Sequence, residues 1–103
     1  MVSESDVVTA LKNCFDPEIG INIYDLGLVY NIEVQDGQKV HLKFSLTFPG
    51  CPLEPEIREQ IMAEVGKIKG IKQVIAELVW EPAWNEKMMS KEGHEMIKYL
   101  RGF

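Results

Sequence analysis

The chain has 103 residues, enough for one hydrophobic core and too few for two, so a single domain over 1–103 is expected. Its 46% apolar and 26% charged residues are ordinary globular composition and leave no room for long disordered, collagen-like or low-complexity stretches. A formal charge of -5 argues against a nucleic-acid partner, because Lys67, Lys69 and Lys72 form the only dense basic group and read as a solvated helix end. No apolar run is long enough to span a bilayer, and Met1–Asp6 lacks the order of a secretion signal, so a cytoplasmic protein with no membrane or nucleic-acid partner is expected.

In chain order, Ser3 or Ser5 can cap a first helix carrying Val7, Leu11, Cys14 and Phe15 at helical spacing, which Pro17 closes near Phe15. That stripe makes Cys14 a small core hydrophobe. Asp16 to Gly27 has no clean period but mixes Asp16, Glu18, Asn22 and Asp25 with Ile19, Ile21, Ile23 and Leu26, the composition of an ordered loop.

Two alternating runs follow, Leu28, Tyr30, Ile32 and Val34, then Val40, Leu42, Phe44 and Leu46, with Asp36-Gly37 between them. Both apolar sets fall on even numbers, and opposed hairpin residues share a face. Val34 should therefore oppose Val40 across an odd-length loop, Asp36 to Gln38 or one residue longer on each side.

Leu53, Ile57, Ile61, Val65 and Ile68 mark an amphipathic helix with acid weighted toward its start and Gly70 at its end. Val74, Ala76, Leu78 and Trp80 predict a third strand ended by Pro82. Ile75 and Val79 on its opposite parity suggest cover on both sides, and Trp80 reads as core. A last helix from about Ser90 to Leu100, with Met96, Ile97 and Leu100 on one side, should pack over the rear or edge of the sheet.

The order α-β-β-α-β-α predicts an α+β fold, a two-layer α/β sandwich with a small mixed three-stranded sheet and two helices on its even face.

Chemistry has one strong candidate. Cys51 lies in Thr47-Phe48-Pro49-Gly50-Cys51-Pro52, between a strand and a helix, where unpaired backbone amides and the helix dipole favour a thiolate. Against this, Glu54 and Glu56 would raise its pKa if they face it, and cysteine is often simply buried. Thr47 can donate to a thiolate or a ligand, or merely close a strand. Asp16 and Glu18 offer two carboxylates for a metal or for acid/base work, or a capping turn; Asp25 has the same ambiguity. Trp84 is the exposed aromatic best suited to anchor a partner or cover a site. No phosphate loop, dinucleotide fingerprint or placed histidine supports conventional enzymatic turnover, and neither His41 nor His94 lies near a cysteine in sequence.

Taken together, Asp16-Pro17-Glu18, Asn22 to Tyr30, Thr47 to Pro52, and Val79-Trp80-Glu81-Pro82-Ala83-Trp84 with Met89-Ser90 resemble the PaaD-like or SufT-like metal–sulfur cluster assembly family, related to cytosolic iron–sulfur targeting factors. The resemblance implies a fold like the C-terminal domain of NifU-type scaffolds and a role in assembling or transferring iron–sulfur clusters. It implies that Cys51 is the reactive cysteine and metal ligand, that Asp16, Glu18 and Thr47 act with it, and that Trp84 and Asp25 serve partner binding.

NifU's paired cysteines are absent, and one thiolate cannot complete the usual four-ligand set. Iron or a cluster would be bound transiently and shared, across a homodimer or with an iron–sulfur client or carrier protein. The alternative is a metal-free adaptor that docks clients to the assembly machinery.

Overall fold

The computed structural model describes residues 1–47 and 53–101. The even-numbered apolar residues build the sheet as their spacing requires. Strand β1 (Val29–Gln35) pairs antiparallel with β2 (Lys39–Phe44), placing Val34 opposite Val40 and Gln35 opposite Lys39. The loop is therefore the three residues Asp36 to Gln38. Asp36 and Gly37 both take positive φ, 56° and 63°, which Asp-Gly supplies at low cost. The third loop residue joins the next strand: the Gln38 carbonyl accepts from Lys72 N at 2.8 Å, just before β3 (Gln73–Leu78).

Strand β3 runs parallel to β2 and completes the order β1-β2-β3. Helix α2 (Glu54–Gly66) lies between β2 and β3 in sequence and packs its buried Ile57, Ile61 and Val65 under the sheet. Helix α1 (Glu4–Leu11) completes that layer with Val7 and Leu11. The core between the layers holds Val40, Leu42, Phe44 and Ala76 from the sheet. Burial of these residues is the dominant favourable term of folding.

Ser3 is the cap of α1, in a reciprocal capping box: its side chain accepts from Asp6 N, and the Asp6 carboxylate accepts from Ser3 N. The helix stops at Leu11 rather than near Phe15. Asn13 N and Cys14 N donate to the carbonyls of Ala10 and Leu11, tightening the last turn, and Phe15 bridges to Asn22.

Four further expectations are corrected. The register shifts between Val29 and Asn31, so even parity holds from Ile32 onward, while Val29 opposes Phe44. Such a bulge re-aims a side chain. Tyr30 donates its phenol to Met88 Sδ at 3.6 Å.

The back of β3 is open: Ile75 is 46% exposed and Glu77 reaches His41 at 3.1 Å on the same solvated face. Ile75 and Val79 on that parity reflect strand propensity rather than a second covered face.

The last helix, α3 (Lys91–Arg101), packs on no helix or strand among the described residues. It docks instead on the loop before β1, with a cleft between Gly20-Ile21 and its Glu92, Met96 and Tyr99. Trp80 is exposed at 40%, and Trp84 is the tryptophan packed against the core, the reverse of the expected placement.

Candidate functional site

The acidic loop from Asp16 to Gly27 is ordered by its own polar side chains. Asp16 is 3% exposed, and its Oδ1 accepts from Glu18 N at 2.9 Å and Ile19 N at 3.1 Å. Its backbone closes the same turn, with Asp16 N donating to Ile21 O and Gly20 N donating to Asp16 O. A short acidic side chain bonding forward to its own backbone is what makes Asp a turn former. Glu18, on the same turn, is exposed. From below, Gln60 of α2 fastens the loop twice: its Nε2 donates to Phe15 O and its Oε1 accepts from Phe15 N.

The loop's second half is built around Asp25, 4% exposed. Asn22 Nδ2 donates to Asp25 Oδ2 at 2.7 Å, and Asp25 N donates back to Asn22 Oδ1 at 2.8 Å. Ser90 Oγ donates to Asp25 Oδ1 at 2.7 Å, and Ser90 N donates to Asp25 O at 2.9 Å. The same Ser90 oxygen accepts from Gly93 N at 3.0 Å, which caps α3. Asp25 is therefore turned into the chain's own interior, its carboxylate held by Asn22 and Ser90.

Trp84 is half-buried and donates its indole N–H to Leu26 O at 2.7 Å, so it pins the segment after β3 to this loop instead of standing free. Two glycines let the backbones meet. A Cβ on Gly27 would stand 2.3 Å from Met88 O, and one on Gly93 would stand 2.4 Å from Asp25 O.

Beyond β2 the ladder runs one residue further, with Ser45 N donating to Leu28 O at 2.7 Å and Val79 N donating to Phe44 O at 2.8 Å. Ser45 Oγ is buried and has no hydrogen-bond partner among the described residues. Thr47, half-buried, is the last residue described before the segment Phe48 to Pro52. Cys51 falls in that segment and lies outside the described residues, as does any grouping of it with Asp16, Glu18 or Thr47. Downstream, Arg58 donates to Glu54 Oε1 and to Ala76 O and lies over the Phe44 ring, tying the first turns of α2 to the sheet.

The other thiol is fully placed. Cys14 is 0% exposed, donates weakly to Ala10 O, and burial followed by the nearby Glu64 charge pushes its pKa up to about 12. It is a core residue without thiolate character. Among the described residues, no three His, Cys, Asp or Glu side chains converge on a point that could hold a metal ion.

Sequence reasoning missed Asn22, Gln60, Arg58 and Ser90 as the residues that fix this region. Asn22 three residues before Asp25, and Ser90 ahead of an amphipathic run, are recognisable signals for a turn and a cap.

The sequence profile of the family described as iron–sulfur cluster assembly protein matches residues 4–78. The chain belongs to this family. Within it, the chain is similar to an Fe-S protein maturation auxiliary factor of Porphyromonas gingivalis, 43% identical over 95% of this chain and 93% of that one. It is 40% identical to the Fe-S protein maturation auxiliary factor SufT of Staphylococcus aureus, over 74% of this chain and 86% of the relative. The family is thus SufT-like, as the motifs indicated.

An iron-sulfur cluster carrier protein of Mycobacterium bovis is 33% identical over 91% of this chain, which matches only 23% of that longer protein. The crystal structure of a DUF59 domain from Bacillus anthracis superimposes with a TM-score of 0.85 at 26% identity, covering 97% and 92% of the two chains. No helix among the described residues is long and apolar enough to cross a membrane.

Proposed function

We propose that this chain helps mature iron–sulfur proteins in the cytoplasm by taking iron or a cluster as cargo on Cys51 and passing it to a partner. The observation that carries the reading is the fate of the other thiol. Cys14 is sealed in the core with its pKa pushed up to about 12, which leaves Cys51 as the chain's one candidate thiolate. A cluster commonly takes four thiolates, so ligation must be shared.

Transfer is then ligand exchange: a bond from iron to Cys51 Sγ forms as one to a donor's ligand breaks, the thiol proton leaves to solvent, and no redox change is required. Thr47, four residues before Cys51, would donate to the sulfur, while Asp16 and Glu18 would order the neighbouring loop or offer an oxygen ligand. Trp84 and Asp25 would serve partner docking indirectly, by holding that loop in shape. Family membership over residues 4–78 spans Cys51 and supports the role. The long carrier relative, with a similar stretch inside its own chain, supports a carrier as one partner.

Anaerobic reconstitution, read by iron content, sulfide content and visible absorbance, tests this. Wild-type chain mixed with an apo client should show cargo that Cys51→Ser abolishes. Cargo transfer or client maturation that survives Cys51→Ser intact would instead favour a metal-free adaptor.

A further inference from the structure

Helix α3 buries only part of its apolar surface. Gly93 is buried against the Asp25 carbonyl and Ile97 packs on the core, whereas Tyr99 is 85% exposed, Leu100 57% and Met96 40%. At roughly 100° per residue those three share one flank of the helix with Glu92 and Glu95. That flank is one wall of a cleft of about 450 Å³. The opposite wall is largely backbone: Ile21 belongs to the core, and nothing lies within 4 Å of the place a Cβ on Gly20 would take.

The charges on the cleft have one sign. Glu92 and Glu95 line it, and among the described residues neither forms an ion pair and no Lys, Arg or His joins them in the lining. Lys91 and Lys98, a turn to either side of Glu95, bond neither carboxylate. From Glu92 to Leu100 the helix rises about 12 Å, acidic toward its start and apolar toward its end. That length matches roughly three or four residues of extended chain.

We propose that this cleft docks a short segment of another protein in which large apolar residues adjoin Lys or Arg. Such a segment covers Met96, Tyr99 and Leu100 and answers both carboxylates at once. Other occupants lack one half of that match. An anionic surface or a nucleic acid meets Glu92 and Glu95 with like charge. An uncharged apolar molecule crowds two carboxylates without pairing them. A second copy brings its own net negative charge, and its one basic and apolar run, Lys67 to Lys72, has Ile68 and Ile71 engaged in the core. The surface adds a docking site to the cargo reading and does not involve Cys51.

The test is an amide NMR titration of the full chain with a synthetic peptide of alternating leucine and lysine. Physiological salt keeps the overall charge of -5 from gathering cations by itself. Saturable shifts should concentrate at Gly20, Ile21 and Glu92 to Leu100. Glu92→Gln with Glu95→Gln should weaken binding roughly twofold to thirtyfold, and Leu100→Ser should weaken it as well. Glu33→Gln with Glu59→Gln removes the same charge from exposed positions elsewhere and should leave binding unchanged.

Shifts spread over the acidic surface, equal effects of the two glutamate pairs, or no saturation at millimolar peptide overturn the proposal. Equal binding of a leucine and serine peptide overturns it in favour of an uncharged apolar ligand. The same shifts on concentrating the chain alone overturn it in favour of a second copy. Cys51→Ser should bind the peptide as wild type does. Loss of peptide binding with Cys51-dependent cargo intact would sink the docking cleft and leave the transfer reading standing.

Discussion

Asp25 and Ser90, 65 residues apart in sequence, share a 2.7 Å hydrogen bond that closes the loop before β1 onto the first turn of α3. Ser90 also caps that helix, so one hydroxyl serves both loop and helix. Ser90→Ala removes the cap and deprives a buried carboxylate of a donor, and should cost about 1–2 kcal/mol in urea denaturation. Ser90→Thr, which keeps the hydroxyl, should recover most of it. Equal stability of the alanine and threonine variants would show that the shared hydroxyl does not hold the loop.

The glycines allow a graded comparison. Gly20→Ala meets nothing within 4 Å and carries only the strain of φ +82°, about 1 kcal/mol. Gly27→Ala has nearly the same φ, +79°, but drives a methyl into the Met88 carbonyl, so its melting temperature should fall clearly further. Trp84 fluorescence should shift in the Gly27 variant alone, because its indole is bonded to Leu26 beside that contact.

Arg58 joins α2, β3 and the Phe44 ring through one planar group. Arg58→Ala should lose about 1–2 kcal/mol, and Arg58→Lys should recover little, since an ammonium cannot bond Glu54 and Ala76 while lying flat on the ring. Full recovery by lysine in a denaturant titration would reduce the role of Arg58 to simple charge.

Cys14 gives a pH signature with a defined sign. Its thiol ionises near 9 when unfolded and only near 12 when folded, so between those values the unfolded chain has lost a proton that the folded chain keeps. Stability should be unaffected by this group below pH 9 and should fall with rising pH above it, by at most about 1.4 kcal/mol per unit. Cys14→Ala should lower the baseline but flatten that alkaline limb relative to wild type. At pH 8, peptide mapping after iodoacetamide treatment should find Cys14 unmodified until urea is added.

How far the sequence determined the fold can be seen in particular residues. Parity alone placed Val34 opposite Val40 and required an odd loop, because a period of two leaves no freedom once one face is buried. The same logic misled at Ile75: a β-branched residue suits any strand, so its parity does not report what covers it.

The tryptophans were exchanged for a related reason. Trp80 extends the even pattern of β3, yet burial of Trp84 is set by the chain's return to Leu26, a contact between residues 58 apart that no local pattern records. In the acidic loop, the turn at Asp16 and the cap at Ser90 are local and readable. The bonding of Asp25 to Ser90 is not, because it exists only once Gly27 and Gly93 let two backbones approach.

Asp25 also couples two parts of the molecule energetically. Its carboxylate and carbonyl are bonded to Ser90, while its neighbours Asn22 and Leu26 are bonded within the acidic loop and to Trp84. A partner that binds only the form in which Ser90 and Asp25 are bonded would therefore favour order in the first turn of α3 and in Asn22 to Leu26 together. By thermodynamic reciprocity, a second ligand selective for that same form would then bind more tightly by the same factor.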